Sequence, residues 1–165
     1  MNTSTLELLL TRELRAVRRE IDAYPDDASV WRAVPGTPNT AGTLALHVAG
    51  NVRHYIGAIL GRDEYVRDRD AEFSRRDVPR SELVAGIDAA VAAVQRALTS
   101  ADASAFTGPY PEPIAKRTVS GTDFLVHLVA HLAYHLGQID YHRRVVTGDG
   151  RGIDAVSVRE LPELS

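Results

Sequence analysis

The sequence predicts an all-α fold, a four-helix bundle. Three observations carry that expectation. Four stretches of about 20 residues repeat apolar side chains at spacings of three and four. No two stretches alternate apolar and polar residues in the manner of paired strands. Proline and glycine fall at the breaks between the periodic stretches. The length of 165 residues suits one domain, taken as 1–165, that is large enough to bury a core.

The first helix is expected from Thr3 to Tyr24, with Leu6, Leu9, Leu10, Leu14, Val17 and Ile21 on one face. Pro25 ends it. Residues 25–39 hold three prolines and the single tryptophan, and predict a loop that lays Trp31 on the bundle. The second helix starts near Asn39 or Thr40, either of which can cap it. It carries Leu44, His47, Val48, Asn51, Tyr55 and Ile59 to Gly61. Residues 62–77, RDEYVRDRDAEFSRRD, mix charges without apolar periodicity and predict a solvated connection. The third helix begins at 78–81, with Pro79 suited to a first turn, and runs through Leu83, Ile87, Val91, Val94 and Leu98. Residues 102–119 are irregular. In the fourth helix Ser120 and Asp123 make a capping-box-like start. Phe124, Leu125, Leu128, Leu132, Leu136 and Ile139 form its apolar face, and Gly148 and Gly150 end it. The last 15 residues form a tail with no assigned element.

Composition excludes several chemistries. There is no cysteine, so neither a disulfide framework, nor a thiolate-ligated metal, nor a cysteine nucleophile is available. A metal would have to be held by histidine and carboxylate. The net charge of −3 lacks the basic excess of a nucleic-acid-binding domain. No apolar run is read as long enough to span a bilayer. Glu7 interrupts the apolar patch of the N-terminal stretch and no basic segment precedes it, so no signal peptide is read and the cytoplasm is expected.

Four of the six histidines fall on the fourth helix: His127, His131, His135 and His142. At 100° per residue they share an arc of about 80°. His131 and His135 stand one turn apart, about 6 Å in rise, so one ion can touch both. His142 is about 16 Å along the axis from His131 and cannot share that ion. His127 pairs with His131 equally well, so two registers stay open. The second helix offers His47, with His54 on the same face. A histidine pair plus a third imidazole from a facing helix leaves coordination positions open, as in catalytic zinc sites. Neutral imidazole also suits nickel, iron(II) or copper. The competing reading makes these interior histidines satisfied by hydrogen bonds. HLAYH lacks the glutamate of HExxH, and no Glu-x-x-His occurs, so zincin and di-iron carboxylate sites are excluded. Gln138 lies about −20° from His131, and Asn51 about +40° from His47, so either amide can orient an imidazole. Asp140 points away.

Three segments resemble the DinB-like superfamily of metal-binding four-helix bundles: HVAGN at 47–51, VRDRDAEF at 66–73 and HLAYHLGQI at 131–139. The last, H-x-x-x-H-x-G-Q, is the most specific. The first two are similar to one uncharacterised branch. The resemblance implies an up-down-down-up order, with a long crossover between the second and third helices. It implies a divalent metal, zinc or nickel, on His47, His131 and His135, with His127 a neighbouring interior residue. It further implies a homodimer and a small-molecule substrate. A low-molecular-weight thiol such as mycothiol or bacillithiol would be activated by the metal and transferred to an electrophile. A metal-dependent hydrolase, or a non-catalytic metal-binding or stress-response bundle, stays open on the same residues. In this light Arg69, Asp70 and Glu72 would form an ion-pair network over the site. His54 and His142 are read as structural or pocket-wall residues.

Overall fold

The computed structural model describes residues 3–100, 104–153 and 156–161. Among these residues the chain is helical, with two isolated β-bridges, Pro109 to Ser120 and Ile114 to Arg117, and no strands. Helix α1, Thr3–Asp22, buries Leu6, Leu10, Leu14, Val17 and Ile21 along one stripe. It stops three residues short of Pro25. A one-turn helix α2, Asp27–Val30, follows, capped by Asp26, whose side chain accepts the Ser29 N–H at 2.7 Å.

Trp31 then folds onto the bundle. Its Nε1–H donates to the Val78 carbonyl at 3.0 Å. A methyl group on Gly42 would stand 2.6 Å from the Trp31 ring, so the indole needs the bare backbone there. Helix α3, Ala41–Val52, is capped by Thr40. The expectation of one α-helix as far as Gly61 is corrected here. Residues Arg53–Leu60 wind as a π-helix, and Gly61 N–H bonds the Ile56 carbonyl five residues back.

The connection after Gly61 is also more than solvated chain. Asp68 accepts the Ala71 N–H at 2.9 Å and starts helix α4, Arg69–Ser74, which turns Glu72 inward. Helix α5, Arg80–Ser100, buries Leu83, Ile87, Ala90, Val94 and Leu98. By length and composition it could cross a membrane, contrary to the sequence reading that no stretch could. In this fold its apolar face serves as core against α1 and α3. A short helix α6, Ser104–Thr107, falls in the stretch expected to be irregular. Residues 101–103 lie outside the described residues. Helix α7, Gly121–Thr147, starts on the Ser120 cap and ends at Gly148, whose φ of 70° is the left-handed C-terminal turn glycine accommodates.

The packing is not that of a sequential hairpin bundle. Helix α1 packs mainly on α5 and α7, and α3 likewise packs on α5 and α7, so α1 and α3 meet only weakly. One continuous cluster of apolar side chains runs between these helices. At the far end from α7's start, Arg143 is 2% exposed and pairs with fully buried Glu20. The same guanidinium donates to the carbonyls of Asp149 and Arg151, tying the chain after α7 to the core. Arg19 and Glu160 pair at 3.2 Å and hold a 3₁₀ turn, Val158–Glu160. The rest of the tail, 154–155 and 162–165, lies outside the described residues.

Candidate metal centre

Helices α3 and α7 face each other with His47 on one and His131 and His135 on the other. The Nε2 atoms converge: His47 to His131 is 3.3 Å and His131 to His135 is 3.1 Å. One ring nitrogen from each of the three lies within 4.8 Å of the others. His47 is buried, and His131 and His135 are half-buried.

The outer nitrogens of two rings are already committed. His47 Nδ1–H donates to Glu72 Oε2 at 2.9 Å. His135 Nδ1–H donates to Gln138 Oε1 at 2.7 Å. A neutral imidazole that donates from Nδ1 holds a lone pair at Nε2. In that form the Nε2 atoms of His135 and His47 face the His131 Nε2 from 3.1 and 3.3 Å, an arrangement suited to a cation among the three. Tetrahedral zinc with nitrogens at about 2.0–2.1 Å sets those nitrogens roughly 3.3–3.4 Å apart. The residues present therefore fit a divalent ion in donor type, and two of the three nitrogen pairs have that spacing.

Burial favours the neutral form of the two α7 imidazoles. Burial, then the neighbouring His135 and His47, push His131 down to about 4. Burial also lowers His135, against the opposing bond to Gln138. A neutral imidazole is the form that ligates. Burial tends to raise the Glu72 carboxyl, but the hydrogen bonds from Arg67 and His47 more than reverse it, so it lies below the usual carboxylate range. Arg67 grips that carboxylate with two bonds, Nε to Oε1 at 2.7 Å and a terminal nitrogen to Oε2 at 2.9 Å. Phe73 covers the His47 ring at 4.8 Å between centroids.

The backbone makes room for this carboxylate. A Cβ on Gly50 would fall inside the Glu72 carboxylate, so the glycine of HVAGN is what lets α4 approach α3. The expected network of Arg69, Asp70 and Glu72 is corrected accordingly. The charge partner of Glu72 is Arg67, while Arg69 lies over the Phe73 ring and Asp70 is exposed.

The other singled-out residues are placed as follows. Asn51 is buried on α3 and makes no hydrogen bond to the three histidines. His127 is exposed, not interior, with its ring stacked on Phe124 and 5.9 Å from the His131 ring. His54 stands on the π-turn and pairs with Glu112 at 3.1 Å, apart from the cluster. His142 is buried away from it, accepting from the Tyr24 hydroxyl at Nδ1 and donating from Nε2 to the Arg32 carbonyl. Asp140 pairs with Arg143 and Arg144. The sequence reading missed Arg67, Gly50, Phe73 and Glu112. The first three sat inside the quoted motifs, and their positions there were the available signal.

The cluster therefore combines three convergent imidazoles, a carboxylate–histidine support and a polar amide at the opposite edge. Comparison with known proteins adds one finding. The family model described as mycothiol-S-transferase matches residues 5–148. No curated protein matches the chain.

Proposed function

Because the chain belongs to the mycothiol-S-transferase family, within the DinB-like superfamily, we propose that it transfers a low-molecular-weight thiol to an electrophilic small molecule at a divalent metal held by His47, His131 and His135. The observation that carries this reading is the convergence of three Nε2 atoms, two of them on rings whose other nitrogen donates elsewhere. Zinc or nickel suits a set of neutral nitrogens. The family description favours mycothiol as the thiol over bacillithiol.

A cation bound there would favour the thiolate form of the thiol at neutral pH. The chain's own residues do the positioning. Glu72 fixes the His47 ring through Nδ1 and leaves its Nε2 facing the other two imidazoles. Arg67 holds Glu72, and Gln138 does for His135 what Glu72 does for His47. With no cysteine in the chain, the reacting sulfur arrives with the co-substrate.

Further parts of the reading have their own support. The chain forms a single domain over 1–165 with an up-down-down-up helix order, in keeping with the weak meeting of α1 and α3 and the long connection before α5. A homodimer would form through α7, where Val126 and Tyr134 are at least half exposed. We assign the cytoplasm, with no nucleic-acid or membrane partner.

The test uses protein purified without a histidine tag. Metal analysis should find near-stoichiometric metal, lost in His131→Ala. In the cobalt-substituted protein, added mycothiol should change the visible spectrum and be consumed with an electrophile. An unaltered spectrum without thiol consumption would refute transfer and leave hydrolysis at the same centre. An empty site, with His131→Ala as heat-stable as wild type, would refute the metal.

A further inference from the structure

A cavity of about 380 Å³ lies between the 34–39 loop and the C-terminal half of α7. Val34, Pro38, Leu44, Tyr141 and Val145 supply its apolar walls. No Asp, Glu, Lys or Arg lines it among the described residues. Two of its polar side chains, Thr37 and His142, are spent on the protein itself. The Thr37 hydroxyl donates to the Val34 carbonyl. Both ring nitrogens of His142 are taken, by Tyr24 and by the Arg32 carbonyl, and burial keeps that ring neutral. An ionic ligand would find no counter-charge here and would be costly to desolvate.

One lining residue connects this cavity with the histidine cluster. Gln138 spends its oxygen on His135 and has no partner for its NH2 among the described residues. Exposed Gln138 is thus a wall of the cavity that carries an amide donor, one hydrogen bond removed from an imidazole of the cluster.

We propose that this cavity is the subsite for the electrophile, and that it selects an uncharged, largely apolar molecule with one hydrogen-bond acceptor beside its electrophilic carbon. The inference rests on the transferase reading above. The acceptor oxygen takes the Gln138 NH2, and the apolar body fills the space between Val34, Leu44 and Val145. With an enone the step is a conjugate addition. The sulfur–carbon bond forms at the β-carbon, and the π pair of the alkene moves to the α-carbon. That carbon takes up a proton equivalent to the one the thiol released, so no further reactant is needed.

Val145 is 62% exposed, so Val145→Arg introduces a charge at the cavity without burdening the core. With mycothiol and 4-phenylbut-3-en-2-one, the variant should raise KM for the enone by about tenfold or more, leaving metal content and the KM for mycothiol unchanged. Wild type should prefer the enone over its ring-carboxylated analogue by about tenfold or more, and the variant should narrow that preference. Equal use of both electrophiles by wild type, or an unchanged enone KM in the variant, would overturn the assignment. If no electrophile turns over, binding of the saturated ketone 4-phenylbutan-2-one is followed by saturation-transfer NMR. Binding that Val145→Arg weakens retains the apolar subsite and discards the transferase reading. No binding to wild type overturns the subsite itself.

Discussion

His47 and Glu72 meet through Nδ1 and Oε2 at 2.9 Å across 25 positions of sequence, both side chains withdrawn from solvent. The carboxylate arrives from a six-residue helix in the connection between α3 and α5, and Arg67 holds it there. This bond turns the other ring nitrogen of His47, Nε2, toward His131.

Glu72→Gln keeps the size of the side chain but removes its charge and its ion pair with Arg67. Metal affinity should fall by about 10–100-fold, as for other supporting carboxylates. Competition against a chromophoric chelator measures this directly. An affinity equal to wild type would show that the carboxylate does not support the site.

Gly50→Ala puts a methyl group where the Glu72 carboxylate now lies, so the carboxylate must move off His47. Its effect on metal affinity should resemble that of Glu72→Gln. Combined with Glu72→Ala, it should add little to the effect of Glu72→Ala alone, since the two changes act through one contact. Full additivity in that double-mutant cycle would count against the mechanism.

Arg143→Ala strands a carboxylate in the core. Glu20 is fully buried, and burial already pushes its carboxyl up against the opposing pull of Arg143. The loss in unfolding free energy should be about 3–5 kcal/mol, read from urea titration. The pair Glu20→Leu with Arg143→Met should recover most of it, because removing both charges also removes the cost of burying one alone.

Acid should weaken the metal-free fold through His142. Burial lowers its pKa in the folded state, while in the unfolded chain it titrates near about 6.5. Between those two values the unfolded state binds more protons, so stability falls as pH drops below about 6.5 and levels off below the folded value. His131 and His135 shift in the same direction and add to the slope. Urea midpoints from pH 8 to 5 should therefore decline less steeply in His142→Gln than in wild type. Parallel slopes would assign the acid response elsewhere.

The helices were legible because each carries its apolar stripe in local sequence. Leu6, Leu10, Leu14 and Ile21 dictate α1 without help from any other segment. Ser120 and Gly148 announce the ends of α7 in the same local way. The π-helical turn was not legible, since Tyr55, Ile56 and Ile59 fit an α-spacing equally well. Which arginine would hold Glu72 depends on how Asp68 bends the chain into α4, and alternating charges carry no record of that bend. The angles of the α7 histidines allowed two registers. Only the position of α3 distinguishes them, setting the His47 ring against His131 and His135. The 34–39 wall of the apolar cavity, likewise, is a product of tertiary packing and has no periodic signature.

The wide turn at Arg53–Leu60 also bears on how such a chain can change length. A π-helix holds more residues over a given rise than an α-helix does. Losing one residue between Arg53 and Leu60 would let the segment relax toward ordinary α-helical winding. His47 and Gly50 lie before the turn and would keep their places, while His54 and Tyr55 would shift. Single-residue insertions and deletions in this stretch are thus a route by which lineages of the fold could remodel the rim around an unchanged trio of imidazoles.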